Sequence, residues 1–206
     1  MTQRIHVNPG NVEWSGDNPA IYLRESADGP WTCLAAYFNV VYSPHGRGRV
    51  MIMLGDPARA EGYPRARNAC ITDNAALAEY LVRDFVSLFP SFRGQPGLGA
   101  MTRYSSGSFR EAGDMATCWQ HTAAASNLEL TLRWRELGAP FAVEVGPEHC
   151  ATGRHDMYSV FLEAGGASVL MNDQALDGRV TDRIFFGRRM STAFIALSET
   201  WVSPAN

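Results

Sequence analysis

Trp31 to Leu54 reads WTCLAAYFNVVYSPHGRGRVMIML, and the way these residues divide decides the fold class. Two apolar runs, Trp31 to Tyr42 and Arg47 to Leu54, flank Ser43, Pro44, His45 and Gly46. Turn formers between two such runs predict a β-hairpin. Neither run alternates cleanly between apolar and polar, so both faces of this part of the sheet are expected to be covered.

Asn74 to Phe89 follows with Leu77, Leu81, Phe85 and Leu88 at helical spacing. Asp73 is placed to cap this stretch and Pro90 to stop it, which predicts one long amphipathic helix docked on the sheet or on an open barrel end. Ser91 to Gly113, rich in glycine, serine and arginine, shows no period and reads as an irregular loop, a lid or a plain connector.

Strand patterns then succeed one another: Asp114 to Thr122, Asn127 to Arg135, Phe141 to Val145, Asp156 to Glu163, Ala167 to Asn172, Val180 to Phe186 and Thr192 to Val202. Gly165 and Gly166 are expected to turn a hairpin between two of them. About nine or ten strands, one helix and no βαβ alternation predict a mainly β (α+β) single domain over residues 1–206, an antiparallel barrel or strongly bent sandwich. In general shape this is lipocalin-like, an architectural analogy that carries no function of its own.

All 18 basic residues are arginine. Lysine Schiff-base chemistry, pyridoxal-phosphate chemistry, a Walker-A cradle and a kinase site are therefore excluded. Net charge is −3 without a basic stripe, so no nucleic-acid partner is expected. The start, MTQRIHVNPG, lacks the apolar run of a secretory signal, and no later run is long enough to span a bilayer, which predicts a cytoplasmic protein with no membrane partner. Cys33, Cys70, Cys118 and Cys150 form no CxxC pair and read as free thiols. Glu148, His149, Cys150 and His155 offer metal donors at poor spacing, so neither a metal nor an organic cofactor is expected.

Strand alternation puts Trp119 and His121 on one face of their strand and Leu130, Leu132 and Trp134 on one face of the next. Ile195, Leu197 and Trp201 share a face with Glu199 by the same rule. The expectation is an apolar barrel cavity in which His121 and Glu199 form an acid/base pair and Tyr158 and Asn39 orient a carbonyl or oxyanion. Trp119, Trp134 and Phe161 would line that cavity, and Arg103 would hold a substrate carboxylate. The function expected is binding of a small, largely apolar metabolite with cofactor-independent isomerase, lyase, hydratase or cyclase chemistry. Two alternatives stand beside it: a non-catalytic small-molecule carrier, or an interaction module that forms a homodimer.

Overall fold

The computed structural model describes residues 10–205. Five strands come first: β1 (Gly10–Asp17), β2 (Ala20–Arg24), β3 (Trp31–Tyr42), β4 (Gly48–Leu54) and β5 (Asn68–Thr72). The helices α1 (Ala75–Asp84) and α2 (Pro96–Ala100) lead to β6 (Thr102–Tyr104), β7 (Ser108–Asp114), β8 (Cys118–Ala125), β9 (Leu128–Leu137) and β10 (Phe141–Val145). The chain ends with β11 (Asp156–Met171), β12 (Gln174–Ala175), β13 (Asp182–Phe185), β14 (Arg188–Ser191) and β15 (Ala193–Pro204).

The β3–β4 hairpin forms as its sequence requires, with Val40 opposite Gly48 and Leu34 opposite Leu54. Alternation sorts its side chains into two layers. Leu34, Ala36, Phe38, Val50 and Ile52 join a first core with Trp14, Phe85 and Trp201, which α1 covers. Cys33, Ala35, Tyr37, Met51 and Met53 join a second core with Leu130, Leu132 and Trp134 of β9. Two buried faces explain the lack of polar alternation.

A 13-stranded sheet orders its main path β6-β5-β4-β3-β1-β15-β11-β9-β8-β7 and curls around the second core. Only β5–β6 pairs in parallel along that path. The outermost strands, β6 and β7, are consecutive in the chain, and Gly107 N–H donates to the Thr72 carbonyl at 2.9 Å where the chain crosses between the two edges. No ladder joins β6 to β7, so the sheet is strongly bent but not a closed barrel. Its interior is filled rather than hollow: Met51, Met53, Leu130, Leu132 and Trp134 have no exposed surface.

Several expectations are corrected. The long helix is a ten-residue α1 followed by a 3-10 turn at Val86–Leu88. Phe85 departs from helical geometry (φ −128°, ψ −66°), and the tightened turn lets both Phe85 and Phe89 reach Trp201, at 5.4 and 5.9 Å between ring centroids. The cap is Asn74, whose Oδ1 accepts the Leu77 N–H, while Asp73 pairs with Arg49 instead. The expected loop at Ser91 to Gly113 contains α2, β6 and β7. The expected strand at Asp114 to Thr122 holds from Cys118 onward as part of β8, whereas Met115 to Thr117 form the turn from β7, fixed by the Asp114 carboxylate accepting from the Ala116 and Thr117 amides.

Gly165 and Gly166 make no turn. β11 runs through them, pairing with β15 over Asp156–Glu163 and with β9 over Ala164–Met171. The glycines mark the point where the strand changes neighbours, not a reversal. β13 and β14 form a separate two-stranded hairpin. Its turn places Phe186 (φ +51°) and Gly187 (φ +70°) in left-handed geometry, which suits a two-residue connection. Among the described residues, no helix is long and apolar enough to cross a membrane.

Candidate functional site

β15 does not keep its alternation. Phe194 and Ala196 face the first core, and Ile195 belongs to the second. Beyond Leu197 the order is reset, because Val160 of β11 pairs with Leu197 and Tyr158 pairs with Thr200. Ser198 and Glu199 together thus oppose Ser159 alone, which is a β-bulge. Ser198 adopts φ +50°, an unusual conformation for a residue with a side chain. Asp17 Oδ1 holds the bulge by accepting the Ser198 amide at 3.0 Å, and Ser159 Oγ donates to the Leu197 carbonyl at 3.1 Å. After it, Glu199 and Trp201 both face the first core.

Glu199 is 2% exposed. Its Oε1 accepts from Trp201 Nε1 at 2.7 Å and from Asn18 Nδ2 at 3.1 Å. Burial pushes its pKa up to about 7, the two hydrogen bonds pull the other way, and Asp17 adds to the rise. No cation lies within ion-pair distance of it among the described residues. Asn18 Oδ1 is buried without a hydrogen-bond partner.

These polar groups border a cleft walled by Tyr22, Phe161, Phe185, Phe186, Phe194 and Trp201, with Arg183 also in its lining. Phe161 packs edge-on against Phe186 at 5.2 Å between centroids, and Phe185 and Phe186 come from the tip of the β13–β14 hairpin. The cavity volume is about 40 Å³, room for little more than a water molecule. Depressions of about 500 and 470 Å³ exist elsewhere, but they are open troughs without a buried ionisable group.

The expected partnership of His121 with Glu199 does not form. His121 lies in the second core, stacked on Tyr37 at 4.1 Å, because the Ser198 bulge turns Glu199 to the opposite face of the sheet. Trp119 Nε1 donates to His121 Nε2 at 3.0 Å, which leaves the ring proton on Nδ1. That Nδ1 is buried without a hydrogen-bond partner, 3.5 Å from Glu111 Oε1. Burial lowers the His121 pKa to about 4, so the ring is neutral near pH 7 with its lone pair engaged.

Other expected residues divide in the same way. Phe161 lines the cleft with Glu199. Trp134 is fully buried and donates its indole N–H to the Ala20 carbonyl at 3.1 Å, so it packs a core rather than a chamber. Trp119 serves His121, and Arg103 is exposed on β6, away from the cleft lining. Asn39 Nδ2 reaches Asp17 Oδ2 at 3.5 Å and thus touches the residue that anchors the bulge. Tyr158 borders a surface trough with Glu144 and Ser198. His155 stacks on Phe85 at 5.1 Å with its Nδ1 2.7 Å from Thr152 Oγ1, whereas His149 is exposed. Among the described residues, no three or more His, Cys, Asp or Glu side chains converge on a metal position.

Asn18 and Ser198 escaped sequence reasoning because neither β1, β2 nor a bulge has a periodic signature here. Arg183, which the sequence pattern does not single out, lines the cleft with Glu199, and among the described residues no ion pair joins the two. Comparison with protein-family models, curated proteins and solved structures finds no match in any of the three.

Proposed function

We propose that the aromatic cleft binds a small, planar, mostly apolar molecule whose polar edge hydrogen-bonds with Glu199 and Asn18. One observation carries this: a left-handed serine in a bulge directs a carboxyl without a counter-ion into a wall of rings. A buried carboxyl and a strained backbone each cost stability, and such arrangements cluster at functional sites. The partnerless Asn18 Oδ1 in the same lining supports the reading, since a ligand N–H or O–H there would satisfy it.

The small cavity means that the ligand displaces part of the wall. The β13–β14 hairpin is suited to move, because no ladder ties it to the main sheet. It is held instead by the Ser191 amide and hydroxyl, which donate to Glu163 Oε1 and to the Ala164 carbonyl, both at 2.7 Å.

A second reading follows from the acidity of Glu199. A carboxyl pushed to about 7 is matched to proton transfer near neutral pH. It favours a one-base isomerisation without a cofactor, Glu199 taking a proton from one ligand atom and returning it to a neighbouring one.

The test titrates neutral planar probes (phenol, indole and benzamide) into the wild type and into Ala151→Trp, which fills the cleft from its half-buried rim. Calorimetry is expected to show binding of at least one probe to the wild type and none to the variant. Unchanged binding to Ala151→Trp, or failure of these probes and of benzoate alike to bind the wild type, overturns the proposal.

A further inference from the structure

We infer that the ligand of this cleft is a carboxylic acid, its carboxylate held by the Arg183 guanidinium. The inference rests on the cleft being a binding site and names the class of molecule it takes. Among the described residues, Arg183 is the one cation in the cleft lining. Its guanidinium carbon stands 4.1 Å from the centre of the Phe185 ring, 4.9 Å from Tyr22 and 5.4 Å from Phe194. Its Nε is buried without a hydrogen-bond partner.

The contrast with the ion-paired arginines sharpens this. Arg49, Arg59, Arg67, Arg83, Arg110, Arg188 and Arg189 each pair with a carboxylate at the surface, where pairing contributes little. Arg183, where desolvation makes pairing most valuable, has no ion pair among the described residues. Burial works against its charge, and Tyr22 works for it.

Ring contacts offset part of the desolvation by cation–π attraction, but rings accept no N–H bonds in the guanidinium plane. Those in-plane donors form a fork that matches a carboxylate in two parallel bonds. The surrounding rings would cover the apolar body of the same ligand. A single guanidinium, with no second cation in the lining among the described residues, fits a monoanion better than a phosphate dianion. With Glu199 protonated, the cleft and a bound monoanion are together neutral.

Matched pairs test this: benzoate with benzamide, phenylacetate with phenylacetamide and cinnamate with cinnamamide, each titrated calorimetrically at about pH 6, where the acids are ionised and Glu199 keeps its proton. For at least one pair, the acid is expected to bind the wild type about tenfold or more tightly than its amide, as charge-assisted bonds imply. Arg183→Gln should abolish that preference, weakening the acid far more than its amide, while Arg183→Lys should retain part of it; melting curves establish that each variant is folded. Acids and amides binding the wild type alike, or a preference that survives Arg183→Gln, overturns the carboxylate inference and leaves the cleft as a neutral-ligand site. Binding by neither set overturns the cleft reading along with it. Should Arg183→Gln fail to fold, the wild-type pairs and Arg183→Lys still decide.

Discussion

Replacing Glu199 by glutamine should change how stability depends on pH, and the structure gives both sign and size. The folded carboxyl titrates near about 7 against an ordinary 4.5, because burial disfavours its charged form. Below 4.5 the group is protonated in folded and unfolded chains alike, and its environment carries no penalty. As pH rises from 4.5 to 7, the unfolded chain loses the proton and the folded chain keeps it, so stability falls. Above 7 the penalty is fully developed, at about 3 kcal/mol for a shift of this size.

Glutamine keeps the shape and an acceptor oxygen for Trp201 but cannot ionise. Urea denaturation of both proteins at a series of pH values should therefore show Glu199→Gln close to the wild type at about pH 4 and more stable by roughly 3 kcal/mol at about pH 8. The difference between the two proteins is the informative quantity, since His121 and His155 also titrate abnormally and cancel in it. Parallel profiles, with no divergence between 4.5 and 7, would refute the burial argument.

His121 should behave in the opposite sense. Its pKa is lowered to about 4 by burial, so its contribution is present above the ordinary 6.5 and lost as pH falls through 4. Proton NMR of the imidazole should give a midpoint near 4, and a midpoint near 6.5 would show the ring to be solvated. His121→Ala removes a ring stacked on Tyr37 and should cost about 2–4 kcal/mol in denaturant titrations; a variant as stable as the wild type would contradict a packing role. Ser198→Gly should leave ligand binding intact and stabilise by about 1 kcal/mol, because glycine occupies left-handed backbone without the side-chain clash. A destabilised Ser198→Gly would mean that the bulge does not carry the strain assigned to it.

What the sequence disclosed follows from which interactions are local. The β3–β4 hairpin was legible because two apolar runs and an intervening turn lie within one short stretch, and the absence of polar alternation correctly implied two covered faces. The helix start was legible to within a residue, Asn74 taking the cap that Asp73 could equally have supplied. Its end was not, because the turn at Phe85 is set by Trp14, His155 and Trp201, which are distant in sequence. Gly165 and Gly166 look like a turn from inside the chain, yet β11 continues because β15 and β9 offer pairing partners on either side of them.

The candidate site suffered most from one unreadable residue. Strict alternation assigns Glu199 to the face of Ile195 and Leu197, and the extra residue at Ser198 reverses that assignment for the rest of β15. The apolar neighbours of Glu199 in sequence do correspond to burial, at 2% exposure. Its location, and the residues with which it shares space, depended on a bulge held by Asp17 from the far end of the chain.

A carbon-13 NMR titration of the Glu199 side-chain carboxyl, assigned by its loss in Glu199→Gln, probes the aromatic cleft most directly. A carboxyl turned into that wall by the Ser198 bulge titrates with a midpoint near 7. A midpoint at the ordinary 4.5 would place Glu199 in solvent and remove the basis for the cleft as a site.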